Sequence, residues 1–347
     1  MSDLPPSLRK RLLAALCALL CLALLAGCQQ QDPAEEDEGS SLGVSSDPIL
    51  LPDDAREIVE DLNGGSDTAN QTLDDKLQNS IETSPARDID DAFFKRLKAL
   101  GRTTAAGAPR RLQDVTAYVP KQTTYPARFM AYVKLALVDN PGEPPTSRLR
   151  LYEKQAADEP WKLSMYITVP PEFPAPDIPL DADGFAELVA DDQADAFKLD
   201  PFSVPEELGK YLSSYAAGAD SSIFAPGRFT NELAQSYKAT TDKDLALEIT
   251  TSTEVRPGEL DPLVFKTRDG GALALFSTDA ITKYAAAPGK SLSPTTGSEG
   301  LLPTGSYETI ERTITHMNAA VVPPTGAEGL IQIVGSTSGV VAFEHTP

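Results

Sequence analysis

Apolar residues at Ile58, Leu62, Ala69, Leu73, Leu77 and Ile81 recur at three- and four-residue steps, the spacing of one helix face. Gly64-Gly65 interrupts that stripe, and a second helical pattern over 90–100 is stopped by Gly101. The period then changes to two. Val115, Ala117 and Val119 alternate with polar neighbours, and Phe129, Ala131, Val133, Leu135 and Leu137 mark a long strand. Leu149 and Leu151 flank Arg150, and Trp161, Leu163, Met165, Ile167 and Val169 alternate with Lys162, Ser164, Tyr166 and Thr168. Helices followed by an antiparallel sheet with one buried face predict an α+β module.

The same order returns in the second half. Helical patterns cover 205–217, with Glu206 and Glu207 in the first turn, and 230–238; acids suit the positive end of a helix dipole. Strand patterns follow at 245–255, 263–267, 272–276, 307–322, 330–334 and 340–343. Arg268-Asp269-Gly270-Gly271 reads as a hairpin turn, because Asp-Gly supplies the positive φ that such turns need. Gly335 to Gly339 reads as another tight return, and 285–305 as a long surface loop. The expectation is two tandem modules, each with N-terminal helices packed on a curved antiparallel sheet.

Ahead of these modules, Arg9, Lys10 and Arg11 precede an uncharged apolar run from Leu12 to Gly27. The run is too short to cross a bilayer and reads as an export signal. Its end, Leu25-Ala26-Gly27-Cys28, resembles the lipobox of bacterial lipoproteins. The resemblance implies diacylglyceryl transfer to the Cys28 sulfur, cleavage between Gly27 and Cys28, and acylation of the new amino group. Cys17 and Cys21 lie in the apolar run and would leave with it. Two or three acyl chains, palmitate among them, make a stable anchor where one would be marginal. The expected location is the extracytoplasmic side of the cell membrane, with the membrane as a partner through Cys28.

Charge divides the remainder. The chain carries 30 Lys+Arg and 51 Asp+Glu, a formal net charge of -21, which argues against nucleic acid as a partner. Most of the excess acidity falls in two short stretches. Residues 28–52, with Glu35-Glu36-Asp37-Glu38, are too polar to repay ordering entropy and read as a disordered spacer. Residues 171–207 begin within a run of prolines at 170, 171, 174, 176 and 179 and read as an extended acidic linker, with 184–194 suited to a short helix. The organisation expected is 1–27 signal peptide, 28–52 spacer, 53–170 first module, 171–207 linker and 208–347 second module.

The lipobox, the acidic spacer, Trp161-Lys162-Leu163, Asp181-Ala182-Asp183-Gly184 and Thr267-Arg268-Asp269-Gly270-Gly271-Ala272-Leu273 together resemble an actinobacterial lipoprotein family of unknown function. The element order of each module resembles the nuclear-transport-factor-two-like or cystatin-like cone. That resemblance implies a pocket between sheet and helices, and a role as a binding module or small isomerase.

Signs of chemistry are few. With two His, the candidate bases are His316, on a strand face with Ile310 and Ile314, and His345 near the C-terminus; both read as structural. Gly335-Ser336-Thr337-Ser338-Gly339 has Thr where a nucleophile elbow needs Ser. Aligning Asp181-x-Asp183-Gly184 to a calcium loop puts Pro179 and Ala190 at ligand positions, so no metal and no cofactor is expected. Trp161, Met165, Phe129 and Tyr132 are the residues best able to line a pocket in the first module. The expected role is non-enzymatic: a lipid-anchored binding or scaffold protein for an envelope component. The alternatives are a small-ligand-binding lipoprotein with a pocket in one cone, or a small carboxylate- or His-dependent enzyme.

Overall fold

The computed structural model describes residues 47–105, 107, 110–140, 142–214 and 223–347. Gly27, Cys28 and most of the acidic spacer lie outside the described residues. Three helices come first: α1 (Ala55–Thr72), α2 (Asp75–Ile81) and α3 (Ala86–Ala99). The predicted stripe from Ile58 to Ile81 is thus two helices. The break is at Leu73, whose left-handed φ of 53° ends α1, while the Asp74 carboxylate caps α2 by accepting from the N–H groups of Lys76 and Leu77. Gly64-Gly65 does not interrupt α1. A Cβ on Gly65 would come within 3.3 Å of Ile81, so the small residue lets α2 lie close.

Strands β1 (Arg110–Tyr118), β2 (Ala127–Leu137), β3 (Thr146–Lys154) and β4 (Lys162–Val169) form a four-stranded antiparallel meander. Alternation along β2 serves two cores. Phe129, Ala131, Val133 and Leu135 face α1 with Ala55 and Val59. Met130 and Tyr132 face the opposite way.

The second half supplies α4 (Val204–Ser213), α5 (Asn231–Ala246), β5 (Ile249–Pro257), β6 (Leu263–Lys266), β7 (Ala272–Ala286), β8 (Thr309–Val322) and β9 (Gln332–Thr346). The sheet order is β5-β7-β8-β9, with β6 pairing β7 beyond the end of β5. The hairpin at Gly270 (φ 86°) is as expected, with the Asp269 carboxylate accepting from Thr267 Oγ1 and the Gly271 N–H.

In the second half, three further elements differ from expectation. The helix predicted over 230–238 runs on to Ala246, and Glu248, at φ 59°, turns the chain into β5. Strand β7 continues past Phe276 through Ser277, Thr278 and Asp279, because those polar groups are satisfied: Thr278 Oγ1 accepts from Asn318 and Asp279 Oδ1 from Thr315. Gly335 to Gly339 is strand, not a return. A Cβ on Gly335 would meet Thr168 O at 2.7 Å and one on Gly339 would meet Ile89 Cγ2 at 2.5 Å. Glycine in a strand often marks such close approach; here it lets β9 lie against β4 and α3.

The described part, from Asp47 on, falls within one compact unit, Ser45–Pro347. The inward faces of the two sheets meet in a common core, where Met130, Tyr132, Leu151, Met165 and Ile167 pack with Phe265, Leu273, Leu275, Met317 and Ala319. Helix α1 covers the outer face of the first sheet and α4 with α5 that of the second, while α3 lies across β4 and β9 and places Ala86 and Ile89 in the common core. Stretch 171–207 contributes buried Ile178, Phe185, Ala186, Val189 and Phe197. It forms bridges to both halves, Pro120 with Ala186 and Leu188 with Phe265. Residues 184–194 are not the short helix expected; a 3₁₀ turn covers Asp191–Ala196.

Candidate functional site

The register of the first sheet puts Arg148 and Arg150 of β3 opposite Val133 and Ala131, on the face that looks toward the helices. Tyr166 of β4 pairs with Arg150 on the same face. Facing them, Glu82 follows the end of α2 and bridges to Leu163, and Asp90 lies on α3. Between sheet and helices is a cavity of about 480 Å³ lined by these five residues and by Arg96, Phe93 and Ala92. A second cavity of about 340 Å³ adjoins it, sharing Ser66, Asn70, Arg148 and Arg150.

The far wall comes from the second half. Gly297, Leu301 and Ser338 to Val340 line the larger cavity. The loop carrying Gly297 and Leu301 is docked by the Arg96–Glu299 ion pair at 3.0 Å, with Glu299 also accepting from the Gly297 N–H.

The polar groups of this site are deeply placed and sparsely paired. Gln78 is 0% exposed, Glu82 1% and Arg150 6%. The Asp90 carboxylate accepts from Tyr166 Oη at 2.6 Å and from Gln78 Nε2 at 3.2 Å. Arg150 donates to Asn63 Oδ1 at 3.0 Å, and Arg148 lies 5.5 Å over the Tyr166 ring. Both Glu82 oxygens, Gln78 Oε1, Tyr152 Oη and the Nε groups of Arg148 and Arg150 are shut from solvent without a well-formed partner. Buried polar atoms ordinarily find one, so six in one cluster is an unusual concentration.

Burial, and then the neighbouring Asp90 carboxylate, push Glu82 up to about 9, so it holds a proton at neutral pH. Asp90 is also raised by burial, against the pull of Tyr166, Glu82 and Arg148. Arg148 falls to about 10 through burial and the nearby Arg150, and remains charged at neutral pH. The arrangement offers two guanidinium forks, the proton-holding Glu82 and the Asp90 carboxyl. Such a set can hold an oxyanion and exchange hydrogen bonds with hydroxyl or amide groups.

The residues expected to line a pocket fall in two separate cores. Phe129 stacks on Tyr152 with centroids 4.8 Å apart and meets the Trp161 edge at 5.1 Å, within the helix-facing core. Tyr132 and Met165 lie in the core between the sheets. None of the four lines either cavity. His316 is half-buried on the helix-facing side of β8, its Nε2 3.4 Å from Tyr237 Oη, and partial desolvation lowers it to about 4. Asp181 uses Oδ1 to accept from the N–H groups of Asp183 and Phe185, closing a loop at Gly184. Among the described residues, no group of three or more His, Cys, Asp or Glu is placed to hold a metal ion. Sequence reading passed over Arg148, Arg150, Glu82 and Asp90. The available signal was the Arg148-Leu149-Arg150-Leu151 alternation in a strand whose two faces are both covered.

A family model described as a domain of unknown function, DUF8094, matches residues 46–345. The chain belongs to this family. Relatives from Streptomyces agree. A protein of Streptomyces avermitilis called an uncharacterized lipoprotein is 29% identical over 75% of this chain and 75% of its own length. Two Streptomyces coelicolor proteins, also called uncharacterized lipoproteins, are 26% identical over 85% of this chain and 86% of their counterpart, and 24% identical over 90% and 89%. The expected membership of a lipoprotein family of unknown function accords with these matches. No solved structure matches the chain. Among the described residues, no helix is long and apolar enough to cross a membrane.

Proposed function

We propose that this member of the DUF8094 family is a lipid-anchored protein of the cell envelope, held at the extracytoplasmic face through Cys28, that binds a small molecule between the helices and sheet of its first module. The observation that carries the binding part is the cavity of about 480 Å³ lined by the Glu82 carboxyl and by Arg148 and Arg150, whose solvent-shielded Nε groups have no partner in the protein. The lipobox and the names of the Streptomyces relatives support the anchor. The cone-like reading of each half, helices on one face of an antiparallel sheet, fits a pocket in that place. The role is capture or presentation rather than turnover.

The experiment is native mass spectrometry of the full chain in detergent. Wild type is expected to carry a small molecule that is released on denaturation. Ser66→Trp, which fills the lining common to both cavities, is expected to lack it. A bound mass unchanged in Ser66→Trp sinks the cavity assignment. The anchor is tested separately: Cys28→Ala should lose lipid labelling and appear in the medium, and a variant that stays membrane-bound overturns it.

An enzymatic reading has one observation in its favour, the proton-holding Glu82 beside the buried Asp90 carboxyl, since such pairs serve acid–base catalysis. Conversion of the co-purified molecule by wild type but not by Glu82→Gln would establish that reading in place of simple binding.

A further inference from the structure

The cavity runs against the charge of the molecule. The chain as a whole is at -21, yet four arginines, Arg96, Arg110, Arg148 and Arg150, line the two adjoining cavities. Two of them are committed elsewhere: Arg96 pairs with Glu299 at 3.0 Å, and Arg110 donates to Thr146 Oγ1 at 2.5 Å. Arg148 and Arg150 make no ion pair with a described carboxylate and are the two most deeply set of the four in the cavity lining. Arg150 contacts the Asn63 amide and the Tyr152 hydroxyl and Arg148 the Tyr166 ring, and each keeps a solvent-shielded Nε without a partner.

The carboxyl groups nearby make no ion pair with them, although Asp90 lies close enough to Arg148 for their charges to attract. Asp90 is engaged by Tyr166 and Gln78. Glu82, protonated through burial, adds an O–H donor rather than a negative charge. Asp67, hydrogen-bonded to Asn63 at 3.1 Å, is raised by burial. Elsewhere in the same sheet the fold does pair a half-buried guanidinium: Arg128 meets Glu153, 2% exposed, at 2.5 Å. Leaving two arginines unpaired beside a cavity is therefore a local choice. It is costly for stability alone.

Spacing adds a geometric reason. Residues two apart on a strand point to the same side about 7 Å apart, so two forks rising from one face can converge on one group. Guanidinium forks match carboxylate and phosphate oxygens in pairs. Beyond them the larger cavity is walled by Ile89, Ala92, Phe93, Leu163, Leu301 and Val340, a surface suited to an apolar body.

We propose that Arg148 and Arg150 form a subsite for one oxyanion, the carboxylate or phosphate end of a small organic molecule whose body lies along Phe93, Leu163 and Val340. The assignment rests on the ligand-binding reading above and names the chemical class of the ligand.

The test is calorimetric titration of the full chain in detergent micelles with inorganic phosphate, with succinate and with the neutral polyol xylitol. At least one oxyanion is expected to bind wild type and xylitol is not. Arg148→Lys and Arg150→Lys, which keep the charge and lose the fork, are each expected to weaken that binding by at least about tenfold. Arg150→Met serves as a second variant, because it removes the buried charge together with any folding penalty it carries; it should abolish binding while circular dichroism stays unchanged. Wild type that binds neither oxyanion, or Lys variants that bind as tightly as wild type, overturn the subsite. If the oxyanions fail while wild type still carries a neutral molecule that Ser66→Trp lacks, the oxyanion assignment falls and the cavity reading stands. A chain that shows nothing in either assay loses both.

Discussion

Glu82, buried, and His316, half-buried, are both titratable residues shifted by desolvation, and their effects on stability have opposite pH dependence. Glu82 ordinarily titrates near 4.5 and is raised in the fold to about 9 by burial and Asp90. Between those values the folded chain keeps a proton that the unfolded chain has released. The stabilisation is complete below about 4.5 and is lost as pH rises toward 9, at no more than about 1.4 kcal/mol per pH unit. Glu82→Gln should flatten that slope in urea denaturation compared at about pH 5 and about pH 8; an unaltered slope would place the titration elsewhere. His316 ordinarily titrates near 6.5 and is lowered to about 4 by partial desolvation beneath Tyr237. Its contribution is complete above 6.5 and is lost as pH falls toward 4. His316→Phe should remove an acid-side decline in the melting temperature, and persistence of that decline in the variant would contradict the assignment.

At the scale of elements, β9 decides how closely the two halves meet. Gly335 lies under a backbone carbonyl, Thr168 O, while Gly339 lies under the side chain of Ile89. A carbonyl fixed in a sheet cannot step aside, whereas a side-chain methyl can shift by a few tenths of an ångström. Gly335→Ala is therefore expected to cost about 1–3 kcal/mol, and Gly339→Ala less, in chemical denaturation. The reverse order would mean that β4 yields more readily than α3. The same strand carries Ser338, Gly339 and Val340 into the cavity wall, so displacement of β9 is also expected to weaken ligand binding.

For the whole molecule, the core between the sheets couples halves that the chain order keeps apart. Phe265, fully buried, belongs to the second half and packs with Met130, Leu151 and Met165 of the first. Arg128 adds a polar tie, donating to the Asp261 carbonyl at 2.9 Å. A shared core unfolds as one unit. The single Trp, Trp161, lies in the first half, so its fluorescence reports on that half alone, while far-UV circular dichroism reports on both. The two transitions should coincide. Phe265→Ala should shift the Trp161 transition although it lies in the other half, with a loss of about 3–5 kcal/mol. Two separated transitions, or a Trp161 signal indifferent to Phe265→Ala, would show that the halves are independent domains.

Local pattern alone determined a good deal. The alternation through Phe129 to Leu137, the stripe from Ile58 and the Asp269-Gly270 turn fix strand, helix and hairpin, because each depends on neighbours within a few residues. The lipobox is likewise a contiguous string, readable without a fold. What only the tertiary structure decided depends on residues far apart. Arg148 and Arg150 read as the exposed edge of an alternating strand until helices α1 to α3 cover that face. Glu82 and Asp90 are ordinary acids among 51 until burial sets their charge. Gly335 and Gly339 signal a turn or a close approach equally well, and only the position of β4 and α3 chooses. Stretch 171–207, acidic and proline-rich, gives no local sign that Phe185 and Val189 will be buried between partners on both sides. A chain can state which residues prefer water and which repeat they follow; whether a polar side chain ends in solvent or in a cavity is set by what the rest of the fold brings over it.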